Sequence, residues 1–205
     1  MSEPDVAVTD YLLTAECLLF SLLIRRQKTV ESSLKALFVL LYASLAAASF
    51  LGGTVHGFFS TDTVGRGVLW RLTLLSIGIT AYACWLIGSR ILFEGSWNTL
   101  FVSILVLYSA IILFVSQEFW IAIVNYIPST ILLLVAFLVA YRKKRHHRLM
   151  LAVAGLSLTF VAAAAQQLEI TVHPVYFTFN SLYHAIQAIG LWLIYVGIRP
   201  LFAPL

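Results

Sequence analysis

Long apolar runs separated by short polar connections recur seven times along the chain, at residues 8–24, 34–52, 68–89, 98–116, 119–141, 149–166 and 179–198. A helix needs about 20 apolar residues to cross the hydrocarbon core of a bilayer, and in lipid every backbone polar group must be bonded within its own element. Each run therefore predicts a transmembrane α-helix. The connections leave no length for a separate soluble domain, so residues 1–205 read as one all-α integral membrane domain, a seven-helix bundle. Gly52-Gly53 and Pro128 fall within or at the ends of runs, where they permit close packing or a kink.

Composition agrees with the pattern. Hydrophobic residues make up 61% of the chain and charged residues 11%, with a mean hydropathy of +0.95. That leaves too little polar surface for a water-soluble enzyme, a disordered chain or a nucleic-acid binder. Cys17 and Cys84 both lie in apolar runs and imply no disulfide framework. The first run is expected to remain in the mature protein, because Glu3, Asp5 and Asp10 stand where a signal peptide carries positive charge.

Charge position sets an expected orientation. Of 13 Lys and Arg residues, 11 fall at connections one, three and five or at the C-terminus: Arg25, Arg26, Lys28, Lys35, Arg90, Arg142, Lys143, Lys144, Arg145, Arg148 and Arg199. Only Arg66 and Arg71 fall on the other side. The positive-inside rule then places the N-terminus outside and the C-terminus in the cytoplasm, in a cell membrane such as the bacterial inner membrane. Arg142–Arg148, with His146 and His147 embedded, reads as a cytoplasmic anchor that touches anionic headgroups. Trp70, Trp97 and Trp120 near run ends read as interfacial anchors.

Polar side chains inside a span cost about 2.5–3.5 kcal/mol on insertion scales and ask for a partner or a task. Glu16 stands in the first run, with no cation near it in sequence, and is expected in the run's outer half. His56 follows the second run. The seventh opens with Asn180, Tyr183, His184 and Gln187, whose offsets of three, four and seven make one helical stripe. Such a stripe faces other helices or a water-filled cavity, as an interhelical hydrogen-bond network or as a site. Asp10, Thr14, Cys17 and Ser21 on the first helix, and Thr73, Ser76 and Thr80 on the third, are explained by core packing and by bonds to the preceding turn. Asp62 and Glu169 fall in outer connections and read as solvated.

With that orientation His56, His184 and Glu16 all belong to the outer leaflet. Two imidazoles and a carboxylate suit zinc with an open position for water, and zinc-bound water is a nucleophile for an ester or amide carbonyl. His56 and His184 are the expected metal ligands, with Glu16 as third ligand or general base. Asn180 and Gln187 would orient ligands or donate to an oxyanion. His173, before Pro174 in the sixth connection, offers a further ligand nitrogen or is merely solvated.

At these residues the chain resembles the superfamily of seven-helix membrane hydrolases that includes the alkaline ceramidases and the progestin and adiponectin receptors. The resemblance implies a zinc ion held by one His at the end of the second span and two His four apart in the seventh. A Ser four before the first His and an Asp in the third span would support it. His56, His184, the seven runs and the N-out orientation match. The second seventh-span His is instead Asn180 or Ala188, the Ser is Gly52, and the third run has no Asp. The segment Asn180–Gln187 is also similar to one in small uncharacterised bacterial membrane proteins. The function this implies is a zinc-dependent hydrolase of a lipid amide or ester at the outer leaflet. The competing expectations are a receptor or binding module for a small lipid-like ligand in the same cavity, and a proton-coupled transporter in which Glu16 titrates.

Overall fold

Seven helices occupy the seven runs: α1 (Pro4–Arg26), α2 (Ser32–Phe58), α3 (Val64–Leu92), α4 (Asn98–Phe114), α5 (Phe119–Lys144), α6 (Leu149–Gln167) and α7 (Phe179–Gly197). The computed structural model describes residues 3–27, 32–59 and 63–202, so Lys28 and Asp62 lie outside the described residues. Among the described residues, six helices are long and apolar enough to cross a membrane; α4 is apolar but has 17 residues.

Local signals set the helix ends. Pro4 opens α1, where a missing N–H costs nothing, and Arg25 and Arg26 in its last turn complement the helix dipole. The Thr63 hydroxyl accepts from the Arg66 N–H at the start of α3, and Arg145 ends α5 in the left-handed region at φ 50°. Several helices extend past the apolar runs. α1 begins at Pro4, and α2 continues through Gly52, Gly53 and His56, because backbone bonding carries on where hydropathy falls at the membrane edge.

α1, α2, α3, α5, α6 and α7 close into a ring in that order, and α4 packs outside against α3. α4 runs antiparallel to α3: Phe101 stacks on Trp85, Tyr108 donates to the Leu74 carbonyl, and Trp70 Nε1 donates to the Gln117 carbonyl. Gly78 makes room for Tyr108, since a Cβ there would lie 2.4 Å from its ring. α6 and α7 meet through small residues in the same way, and a Cβ on Gly155 would lie 2.4 Å from the Gly190 carbonyl oxygen.

The ring has two unlike halves. Towards the basic end, Ile24, Phe38, Tyr42, Phe137, Leu149 and Leu191 form a filled core, in which the Tyr42 hydroxyl donates across the ring to the Leu191 carbonyl at 2.9 Å. Phe20 stacks on Tyr195 at 4.4 Å and meets Tyr42 edge-on. The half where α1, α3, α5 and α7 begin is hollow.

Candidate functional site

The hollow half contains a cavity of about 290 Å³ to which all six ring helices contribute. Asp10 comes from α1, Ser49 and His56 from α2, Trp70 and Thr73 from α3, Phe119 from α5, Gln166 from α6, and Asn180, Tyr183, His184 and Gln187 from α7. At 1.5 Å per residue, Asp10 lies about 9 Å along α1 from Pro4 and His184 about 8 Å along α7 from Phe179, so helix geometry alone brings them to one depth.

On the α1–α7 side of the cavity Asp10 and His184 meet. His184 Nε2 stands 3.3 Å from Asp10 Oδ1, and the Asp10 side chain is buried. The other ring nitrogen, Nδ1, lies 3.1 Å from the Thr9 hydroxyl, which also reaches the Asp5 and Val6 carbonyls. Both nitrogens of His184 are therefore engaged by α1. Gly53 permits the approach: a Cβ there would meet Asp10 Cβ at 2.8 Å, so only glycine lets α1 sit this close to α2. This corrects the core-packing account of Asp10. Its hydroxyl neighbours behave as expected, with Thr14, Thr73, Ser76 and Thr80 each donating four residues back.

The first residues of α1 fasten the cavity mouth. The Glu3 N–H donates to the His56 carbonyl, and its carboxylate pairs with His56 Nδ1. Asp5 Oδ2 accepts from the Thr178 N–H (3.1 Å), the Thr178 hydroxyl (2.7 Å) and the Ser181 hydroxyl (2.6 Å). Thr178 is the N-cap residue of α7 and makes no side-chain capping bond of its own, so Asp5 caps α7 from another helix.

Among the expected site residues, His56, His184, Asn180 and Gln187 share the cavity, and Glu16 and His173 do not. Glu16 is the thirteenth of 23 residues in α1, near the middle of the helix. It turns away from Asp10, because six residues at 3.6 per turn place the two about 120° apart. It lines an adjoining groove between α1 and α7 with Leu12, Ala188, Ile189 and Trp192, in which His184 also takes part, and its Oε2 is buried without a hydrogen-bond partner among the described residues. His173 is exposed in the α6–α7 loop, and its Nδ1 accepts from the Val175 and Tyr176 N–H groups. Trp70 is more than an interfacial anchor, since it forms cavity wall with its ring edge-on to His56.

Asn180 accepts from Gln166 Nε2 at 2.9 Å and ties α7 to α6. Beside this pair a second cavity of about 320 Å³ begins, with Leu45, Ile77, Phe119, Gln166, Tyr183 and Gln187 lining both. It is chiefly apolar, and its walls include Ile127, Ala164 and Gln167. These three are exposed on the flanks of α5 and α6, so the cleft opens sideways between those helices. Pro128 lies in α5 at this wall.

For zinc the donors fall short of a site. Asp10 Oδ1 and His184 Nε2 are separated as two ligands of one tetrahedral ion with bonds of about 2.0–2.1 Å would be. Among the described residues, however, no three His, Cys, Asp or Glu come together to hold a metal.

No curated protein and no solved structure matches the chain. One family model does, over residues 6–201 and so over all seven helices but the first two residues of α1. The chain belongs to that family, DUF6962, a family of unknown function.

Proposed function

We propose that the protein is a multi-pass membrane protein that binds a small single-chain amphiphile. The polar end of the ligand enters the cavity of Asp10, His56 and His184, and its chain lies in the cleft between α5 and α6. The observation that carries this reading is the junction of the two cavities. A polar chamber of about 290 Å³ adjoins an apolar one of about 320 Å³ that opens on the lipid-facing flank, in the size range of small-molecule sites. The imbalance of Lys and Arg puts the cavity end at the outer leaflet, with seven crossings and the N-terminus outside. The filled core towards the basic end favours binding over a through-route.

Zinc-dependent hydrolysis of a lipid ester or amide is the second reading, favoured by the ligand-like spacing of Asp10 and His184. It requires a third donor.

Photolabelling in nanodiscs separates the readings, using a monoacylglycerol with a diazirine in its chain. Saturable adducts on Ile123, Ile127 or Ala163, competed by the unlabelled lipid, are expected. Adducts confined to lipid-facing positions such as Val124 and Val161, and not competed, would refute binding. One zinc per purified chain, lost in both His184→Ala and Asp10→Asn, with lipid turnover lost alongside, would put the hydrolase reading first.

A further inference from the structure

Gln187 stands where the polar cavity meets the apolar cleft and lines both. It is 4% exposed, and its carbonyl oxygen Oε1 is buried without a hydrogen-bond partner among the described residues. Buried polar atoms are almost always bonded, and an orphaned acceptor in a dry setting is a costly feature. Several neighbouring donors are engaged elsewhere. The Gln166 amide donates to Asn180. The hydroxyls along the cleft turn to backbone carbonyls: Thr80 to Ser76, Thr130 to Tyr126 and Ile127, and Thr159 to Leu156. An acceptor left open at the boundary between a polar and an apolar chamber is placed to meet the first polar atom of a ligand whose chain fills the apolar one.

We infer that Gln187 selects the amphiphile by accepting a hydrogen bond from a hydroxyl or N–H at the head of its chain. The ligand class is then a single-chain amphiphile with a donor at its head–tail boundary, such as a long-chain alcohol. An ether or ester that offers only acceptors at that position leaves Oε1 orphaned and gains nothing from the contact. The Asp10–His184 pair lies one turn nearer the mouth on the same side of α7 and receives whatever polar group extends beyond the donor.

This inference rests on the amphiphile reading and fails separately from it. Dodecanol and dodecyl methyl ether share a chain and differ in the donor. Each is titrated in nanodiscs against the photoreactive monoacylglycerol. In the wild type, dodecanol is expected to compete at about five-fold lower membrane concentration than the ether, as one modest hydrogen bond allows. In Gln187→Leu, and in Gln187→Met as a second apolar variant, the two should compete equally while cleft labelling remains saturable. Equal competition in the wild type, or preference for the ether, overturns the role of Gln187 and leaves the amphiphile site standing. A five-fold preference that persists in both variants overturns it as well. Absence of saturable labelling in the wild type overturns the amphiphile reading itself.

Discussion

Asp5→Ala tests whether the first turn of α1 holds α7 in place. Three donors converge on Asp5 Oδ2, at 3.1, 2.7 and 2.6 Å, and one of them, the Ser181 hydroxyl, belongs to a residue with no exposed surface. Losing a helix cap costs about 0.5–2 kcal/mol, and each buried donor left unpaired adds about 1–3 kcal/mol. The Thr178 hydroxyl can turn to water, whereas that of Ser181 lies too deep, so one orphan plus the cap gives about 2–4 kcal/mol. For a chain of this length that corresponds to a fall in Tm of about 4–16 °C, taking about 2–4 °C per kcal/mol. Asp5→Asn keeps an acceptor oxygen and should lose less than half as much. The assay is thermal unfolding in one detergent, followed by tryptophan fluorescence, with Ser181→Ala and the double variant completing a cycle. Coupling between Asp5 and Ser181 of at least about 1 kcal/mol is expected. Additive losses, or an Asp5→Ala variant as stable as the wild type, would refute the capping role.

Gly53→Ala forces a Cβ to 2.8 Å from Asp10 Cβ and should destabilise by about 1–3 kcal/mol, whereas Gly52→Ala, 3.5 Å from Asp10 Oδ2, should be neutral or gain up to about 1 kcal/mol of helix propensity. Thermal unfolding of the two neighbours checks this, and equal effects would remove the close α1–α2 approach as the reason for glycine. Glu16→Leu should raise stability by up to about 3 kcal/mol, since an unpartnered carboxylate near mid-depth is replaced by an apolar side chain; a loss of stability would mean that Glu16 has a working partner. Ala48→Leu projects into the polar cavity and should abolish photolabelling while Tm holds or rises, and a Tm drop of several degrees would contradict the open volume. Cysteines introduced at Lys143 and Thr171, both exposed, should be labelled from the cytoplasmic and outer faces respectively; labelling of both from one side would overturn the proposed orientation.

The helices were legible in the sequence because lipid imposes a length and a composition on every span, and the α7 stripe was legible because polar residues at helical spacing have one face to share. Asn180, Tyr183 and Gln187 do line one cavity. What escaped was the rotation of α1. Asp10 and Glu16 are both acidic residues in an apolar helix, and sequence alone favours the deeper one as the group with a task. Gly53 decides otherwise, because the missing Cβ draws α1 against α2 on the Asp10 face and turns Glu16 to the outer groove. The clue available was that Asp10 and Gly52-Gly53 lie at similar distances from the same membrane face. The role of Asp5 was less legible still, since a cap supplied across 173 residues leaves no local signature.

The cavity itself has a source in side-chain size along α2. Near the basic end this helix presents Leu34, Phe38, Leu41 and Tyr42 to the ring, and all four are buried in the filled core. Two turns later the inward positions become Ala48, Ser49 and Gly52, which cannot reach the opposite helices and leave the chamber open. The change falls where α7 passes from Leu191 and Tyr195 to Gln187, Tyr183 and Asn180, so the empty space and the polar groups coincide. Small residues opposite polar ones are a poor way to hold a bundle together, because neither supplies the apolar contact that the Phe38 and Tyr42 layer provides. The ring therefore packs closely in one half and stays hollow in the other, with Asp5 and the Glu3–His56 pair holding the hollow end to shape.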